Sequence, residues 1–200
     1  MKKFLTSLLF VTLLLAMAFG CSASKKPETN VDNKPSATAP GTTESTVRKT
    51  VGLTEIAKKE RKLANELEPQ HKKISDLYTS FGQGKIDREK LNSQLSLIQP
   101  DIAKIKSESN DFNREYRLGT GFKDDPLYKD GLKYGKNLRS SAATMIRLAT
   151  EGEYVKEQGK TKLQIKNLND AELKTKYAET EKQYQVYLGK LNDALKKLGA

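Results

Sequence analysis

"LNSQLSLIQPDIAKI", residues 91–105, decides the fold. Leu91, Leu95, Ile98, Ile102 and Ile105 recur at alternating gaps of four and three residues. That alternation keeps one apolar seam on a single helical face. A half-buried strand would need alternation at every second position, which this stretch lacks. Ser, Asn, Gln, Asp and Lys fill most of the remaining positions, so the other faces are wetted.

The spacing extends in both directions. Upstream it runs Leu53, Ile56, Glu60, Leu63, Leu67, Gln70, Ile74, Leu77, Phe81, and the seam of residues 91–105 continues to Ser109, Phe112 and Tyr116. A third segment carries it from Leu127 through Gly131, Tyr134, Leu138, Ala142, Met145, Leu148 and Gly152 to Val155, and a fourth from Leu173 through Tyr177, Thr180, Tyr184, Tyr187 and Leu191 to Leu198. The fold class is therefore all-α. Gly82-Gln83-Gly84 and Gly119-Thr120-Gly121 separate the first three segments, and Gly159 closes the third. Asp87 is placed to cap the second helix, Asp125-Pro126 to start the third, and Asn169 with Glu172 to form a capping box on the fourth. Short connections favour antiparallel neighbours. The expected architecture is an up-down-up-down four-helix bundle with coiled-coil-like packing, about 40–45 Å long. Pro69 and Pro100 interrupt two helices, but reflected across the Gly82–Gly84 turn they stand at the same height, which predicts a kink in both arms rather than a break. Polar residues in the seams (Glu60, Gln70, Ser109, Thr180) either specify register or mark where a seam opens to water.

Ahead of the helices the chain reads differently. Met1-Lys2-Lys3 is basic, Phe4–Phe19 is almost wholly apolar, and Ala18-Phe19-Gly20 leads into Cys21, the single cysteine. This is the layout of a secretory signal peptide, and its apolar run is shorter than the roughly 20 residues a bilayer span needs. The stretch Ala18-Phe19-Gly20-Cys21 resembles the bacterial lipobox. That resemblance implies cleavage between Gly20 and Cys21 and a diacylglyceryl group on the Cys21 thiol. Each buried methylene contributes about 0.8 kcal/mol, so two or more chains anchor stably. One cysteine also excludes an intramolecular disulfide. Residues 21–50 are rich in Ser, Thr, Pro, Asn and Lys, the composition of a flexible tether. The organisation becomes signal peptide 1–20, lipidated cysteine and tether 21–50, helical domain 51–200.

The 200-residue chain carries a formal charge of +11, and residues 51–200 hold 29 basic and 22 acidic residues, a net of +7. Outside a membrane such a balance suits anionic headgroups or wall polymers, not nucleic acid. Lys129, Lys133, Lys136 and Arg139 share one stripe of the third helix opposite its apolar seam, the candidate anion-binding face. Lys156, Lys160, Lys162 and Lys166 cluster before the last helix. Small residues of the third segment (Gly131, Gly135, Ala142) facing Tyr177, Tyr184 and Tyr187 could outline a ligand crevice or a close helix approach; close packing is the reading adopted.

Catalytic patterns are missing. His71, in "EPQHKK", is the single histidine and reads as a solvated surface residue; Glu68 precedes it at Glu-x-x-His spacing, but a di-iron site needs two such copies. No phosphate loop, nucleophile elbow or dinucleotide fingerprint occurs. The expectation is a protein without catalytic residues, metal or cofactor. Lipobox, polar tether and Lys/Glu-rich helical domain together resemble the cell-wall-binding lipoproteins of Gram-positive bacteria. The function read here is a lipid-anchored, extracytoplasmic protein of the cell membrane that binds the envelope through its basic face, with a protein-interaction module of a membrane complex or a small-ligand sensor as alternatives.

Overall fold

The computed structural model describes residues 48–155 and 164–200. The expected signal peptide, the expected lipid-bearing Cys21 with Gly20, and the expected tether up to residue 47 lie outside the described residues, as do Lys156, Gly159, Lys160 and Lys162.

The protein is mostly helical and has four long or medium helices, α1 (Leu53–Gly82), α2 (Arg88–Glu115), α3 (Tyr134–Thr150) and α4 (Asp170–Lys197). Their starts follow the local chemistry. The Asp87 carboxylate accepts from Lys90 N–H at 2.8 Å. Asn169 Oδ1 accepts from Glu172 N–H at 2.9 Å while Glu172 Oε2 accepts from Asn169 N–H at 3.0 Å, a reciprocal box that satisfies two orphan donors. Asp125 Oδ1 accepts from Leu127 N–H at 2.8 Å, and Pro126 occupies the first helical position. Helices α1 and α2 continue unbroken through Pro69 and Pro100.

The seam of residues 91–105 is buried at every predicted position, Leu91, Leu95, Ile98, Ile102 and Ile105, while Leu97, off the seam, is 71% exposed. In α1 the buried set widens to include Ala57 and Tyr78, because α1 touches each of the other three helices. The most enclosed helix is α3, which also contacts all three others and buries nine of its 17 residues.

Three features depart from the sequence reading. The third helical segment starts at Pro126 but is interrupted before α3: a π-turn at Tyr128–Leu132 inserts one extra residue, with Lys133 N–H bonded to Tyr128 C=O at 3.1 Å. The third helix ends at Thr150, not near Gly159. Gly152 stands at φ +106°, and a Cβ there would collide with the Lys166 carbonyl, so the chain turns out of the helix where only glycine fits. Val155 consequently lies in a strand. The domain also contains two short strand pairs: β1 (Lys49–Val51) runs parallel to β2 (Tyr116–Leu118), and β3 (Glu153–Val155) antiparallel to β4 (Gln164–Lys166). Three residues are too few to display a period of two. The fold thus begins before residue 51: Lys49 and Thr50, assigned to the tether, belong to β1, with Lys49 Nζ 3.1 Å from Glu115 and Thr50 Oγ1 accepting from Arg117 Nε at 3.3 Å.

Candidate functional site

Two polar regions stand out from the apolar core, one tightly paired and one beside a wide crevice. The tightly paired one joins α1, α2 and α3. Arg139 Nη1 donates to Glu60 Oε2 at 2.6 Å, and Nη2 donates to Glu60 Oε1 at 3.1 Å and to Ser109 Oγ at 2.7 Å. Two parallel bonds between a guanidinium and a carboxylate give strength and fix geometry. Two of the polar seam residues therefore converge on one arginine. A Cβ on Gly135 would strike the Glu60 carboxylate, so glycine at 135 makes the space this pair occupies.

This network corrects the proposed basic stripe. Arg139 is 4% exposed and committed to Glu60 and Ser109, so it does not belong to a surface face. A helical wheel places it opposite the apolar seam, but α3 is packed on several sides and that "outer" side meets α1 and α2. Lys129, Lys133 and Lys136 are exposed. Lys133 lies 5.6 Å from the centre of the Tyr134 ring, and Lys136 has no ion-pair partner among the described residues. Lys133 and Lys136, together with Arg117 of β2, border a cavity of about 180 Å³ whose only lining carboxylate is Glu60. Of the second lysine cluster, Lys166 is described; it sits in β4 with Nζ 2.8 Å from Glu172.

The second region lies between α1 and α4. His71, expected to be solvated, is instead largely buried: its ring stacks on Tyr184 with centroids 3.8 Å apart, and its Nε2 lies 2.8 Å from Glu181 Oε2. The next aromatic pair, Tyr78 on Tyr177, also stacks at 3.8 Å, and Tyr78 O–H donates to the Met145 carbonyl at 2.6 Å. Glu181 collects further bonds from Gln185 Nε2 at 2.8 Å and from Tyr177 O–H at 3.4 Å. Burial opposes its charge, but the hydrogen bonds from His71 and Gln185 outweigh that and hold its carboxyl below the usual range. Burial pushes the Tyr177 phenol up to about 12 and raises Tyr184 further.

The tyrosines are thus distributed over several partners and do not share one crevice with the small residues of α3. Tyr134 stacks on Tyr187 at 5.5 Å, while Tyr154, now on β3, is 44% exposed beneath Arg147. Gly131 packs against α4 at Ala194, where a Cβ would collide; close helix approach is the outcome there. A signal for His71 existed in the sequence: it falls three residues before Ile74 and four after Leu67, beside the buried seam rather than opposite it.

Among the described residues no group of three or more His, Cys, Asp or Glu could hold a metal ion, and no helix is long and apolar enough to cross a membrane. No protein-family model, curated protein or solved structure matches this chain.

Proposed function

We propose that this protein is a non-catalytic lipoprotein of the extracytoplasmic envelope, anchored to the membrane through Cys21, whose helical domain binds an anionic wall polymer or anionic lipid through Lys129, Lys133 and Lys136. The observation that carries the reading is the basic cavity beside α3. Lys133, Lys136 and Arg117 surround it, and its single lining carboxylate, Glu60, is already neutralised by Arg139. An approaching phosphate or carboxylate therefore meets cations with no competing free anion in the cavity wall. Arg139 supports this site from beneath by occupying Glu60.

The same proposal includes an antiparallel up-down arrangement of the four helices. It rests on contacts that join opposite ends: Lys62, near the start of α1, lies 3.0 Å from Glu108, near the end of α2. Arg61 donates to the carbonyl of Ala200, at the far end of α4, at 2.7 Å. Tyr78 and Met145 meet near the ends of α1 and α3, as alternate helices of such a bundle should.

Sedimentation of the full chain with purified cell walls, with and without their anionic polymer and at low and high salt, tests the function. Binding that requires polymer and weakens with salt is the expected result. Each lysine near an anionic surface contributes about 1 kcal/mol, so Lys129→Gln, Lys133→Gln and Lys136→Gln together should lower affinity by about a hundredfold. Salt-insensitive binding, or none to either walls or anionic vesicles, would overturn the reading.

A further inference from the structure

A crevice of about 770 Å³ lies between α1 and α4, and no residue of α3 lines it. Its size falls within the range of small-ligand sites. Its polar groups divide into two sets. Arg61 is committed to the Ala200 carbonyl, Lys72 to Asp76, and Glu181 to His71, Gln185 and Tyr177. Asn65, Asn192 and Glu68 have no side-chain partner among the described residues.

Tyr184 adds the telling group. It is 2% exposed, yet its hydroxyl makes no hydrogen bond among the described residues. Polar side-chain atoms sealed from solvent without a partner are Arg88 Nε and Asn92 Oδ1, and the Tyr184 oxygen is not one of them. Tyr184 is among the residues that line the crevice, and its oxygen is not sealed from solvent. A buried phenol carried on a side chain locked by the His71 stack, with its polar end left free, is a preorganised ligand contact.

The free groups select a ligand class. Amides offer donor and acceptor together, a carboxylate offers two acceptors, and a phenol offers either. Such a set matches adjacent hydroxyls. It suits an anion poorly, because Lys72 is paired with Asp76 and the carboxylates of Glu68 and Glu181 line the same space. Ala64, Pro69 and Leu188 complete the wall with apolar surface, which accepts the C–H face of a sugar ring. We propose that the α1–α4 crevice is a binding site for an uncharged saccharide, held by Tyr184, Asn65, Asn192 and Glu68.

Calorimetric titration and thermal unfolding of the full chain test this, with maltotriose and the trisaccharide of N-acetylglucosamine as probes and spermidine and inorganic phosphate as controls. At least one trisaccharide should bind and raise Tm with concentration as one-site linkage requires, and the controls should not. Tyr184→Phe should weaken binding by about tenfold, the loss of one buried hydrogen bond, without changing the Tm of the free protein. Asn65→Ala and Asn192→Ala, at exposed positions, should weaken binding in the same way and provide the test should Tyr184→Phe fold poorly. No binding of either trisaccharide at millimolar concentration overturns the proposal. So does preferential binding of spermidine or phosphate in the crevice, or trisaccharide affinity indifferent to all three substitutions.

Discussion

Two polar contacts of helix α1, at Glu60 and at His71, stand about three turns apart and are built oppositely. At Glu60 the carboxylate meets a guanidinium 5% exposed, is gripped by two bonds and shares its arginine with Ser109. At His71 the partner carboxylate, Glu181, keeps 23% of its side-chain surface and borders open space. The first contact joins three helices and borders a cavity of about 180 Å³; the second joins two and borders a crevice of about 770 Å³. A polar group inside a helical core is tolerated when its partners are complete. Where they are incomplete, the surplus valence points to a ligand or to water.

The largest effect should come from unpairing the tightly paired contact. Arg139→Met leaves the largely buried Glu60 carboxylate without its two hydrogen bonds, and should destabilise the fold by about 3 kcal/mol, read from urea unfolding. Adding Glu60→Leu should recover most of that loss, since an apolar replacement of both partners removes the stranded charge. Recovery would locate the penalty in the lone carboxylate; a larger loss in the double variant would show that the pair itself contributes stability. Gly135→Ala probes the same region sterically. The new methyl must displace the Glu60 carboxylate, at a cost of about 1–3 kcal/mol.

The open contact should yield less. His71→Ala removes a ring stack and one hydrogen bond, and should lower stability by about 1–2 kcal/mol. If it costs as much as Arg139→Met, the distinction between the two regions fails. Acid provides a gentler probe. Because Glu181 is held below its ordinary value of 4.5, its contribution is present above that pH and disappears as pH falls through the depressed value. Partial exposure and solvent screening keep it below about 1 kcal/mol. The protection of α4 amides near Glu181 against hydrogen exchange, relative to the free-chain rate at each pH, should therefore fall as pH drops through that depressed value. Alkali acts in the other direction: Tyr177 favours its neutral form in the fold, so stability should decline as pH rises from 10 toward about 12. The smallest effect belongs to the exposed lysines. Lys129→Gln, Lys133→Gln and Lys136→Gln should shift stability by less than about 0.5 kcal/mol, whatever they do to binding.

Legibility followed the range of the interaction. In α2, the gaps between Leu91 and Ile105 named the buried face residue by residue, because a helix periodicity is written in neighbours three and four apart. Asp87, Asp125 and the Asn169–Glu172 pair announced helix starts for the same reason. The strands could not be anticipated: Lys49 pairs with Tyr116, and three-residue ladders leave no periodic trace. Arg139 and His71 were misplaced by one shared assumption, that a helix has a single buried face. Helices α1 and α3 each contact three others, so positions just off the seam are buried as well.

What the sequence determined alone is therefore local: the helical segments, their capped starts, and the seams that make them associate. A leader, a lipobox with Cys21 as anchor, and a tether remain proposals made from the sequence alone. Tertiary structure decided which polar side chains meet. Glu60, Ser109 and Arg139 lie 30 to 79 residues apart, and His71 is 110 residues from Glu181. No local preference encodes such pairings, because they depend on how three or four helices rotate against one another to exclude water. That rotation paired one polar junction tightly and left the other beside a wide crevice.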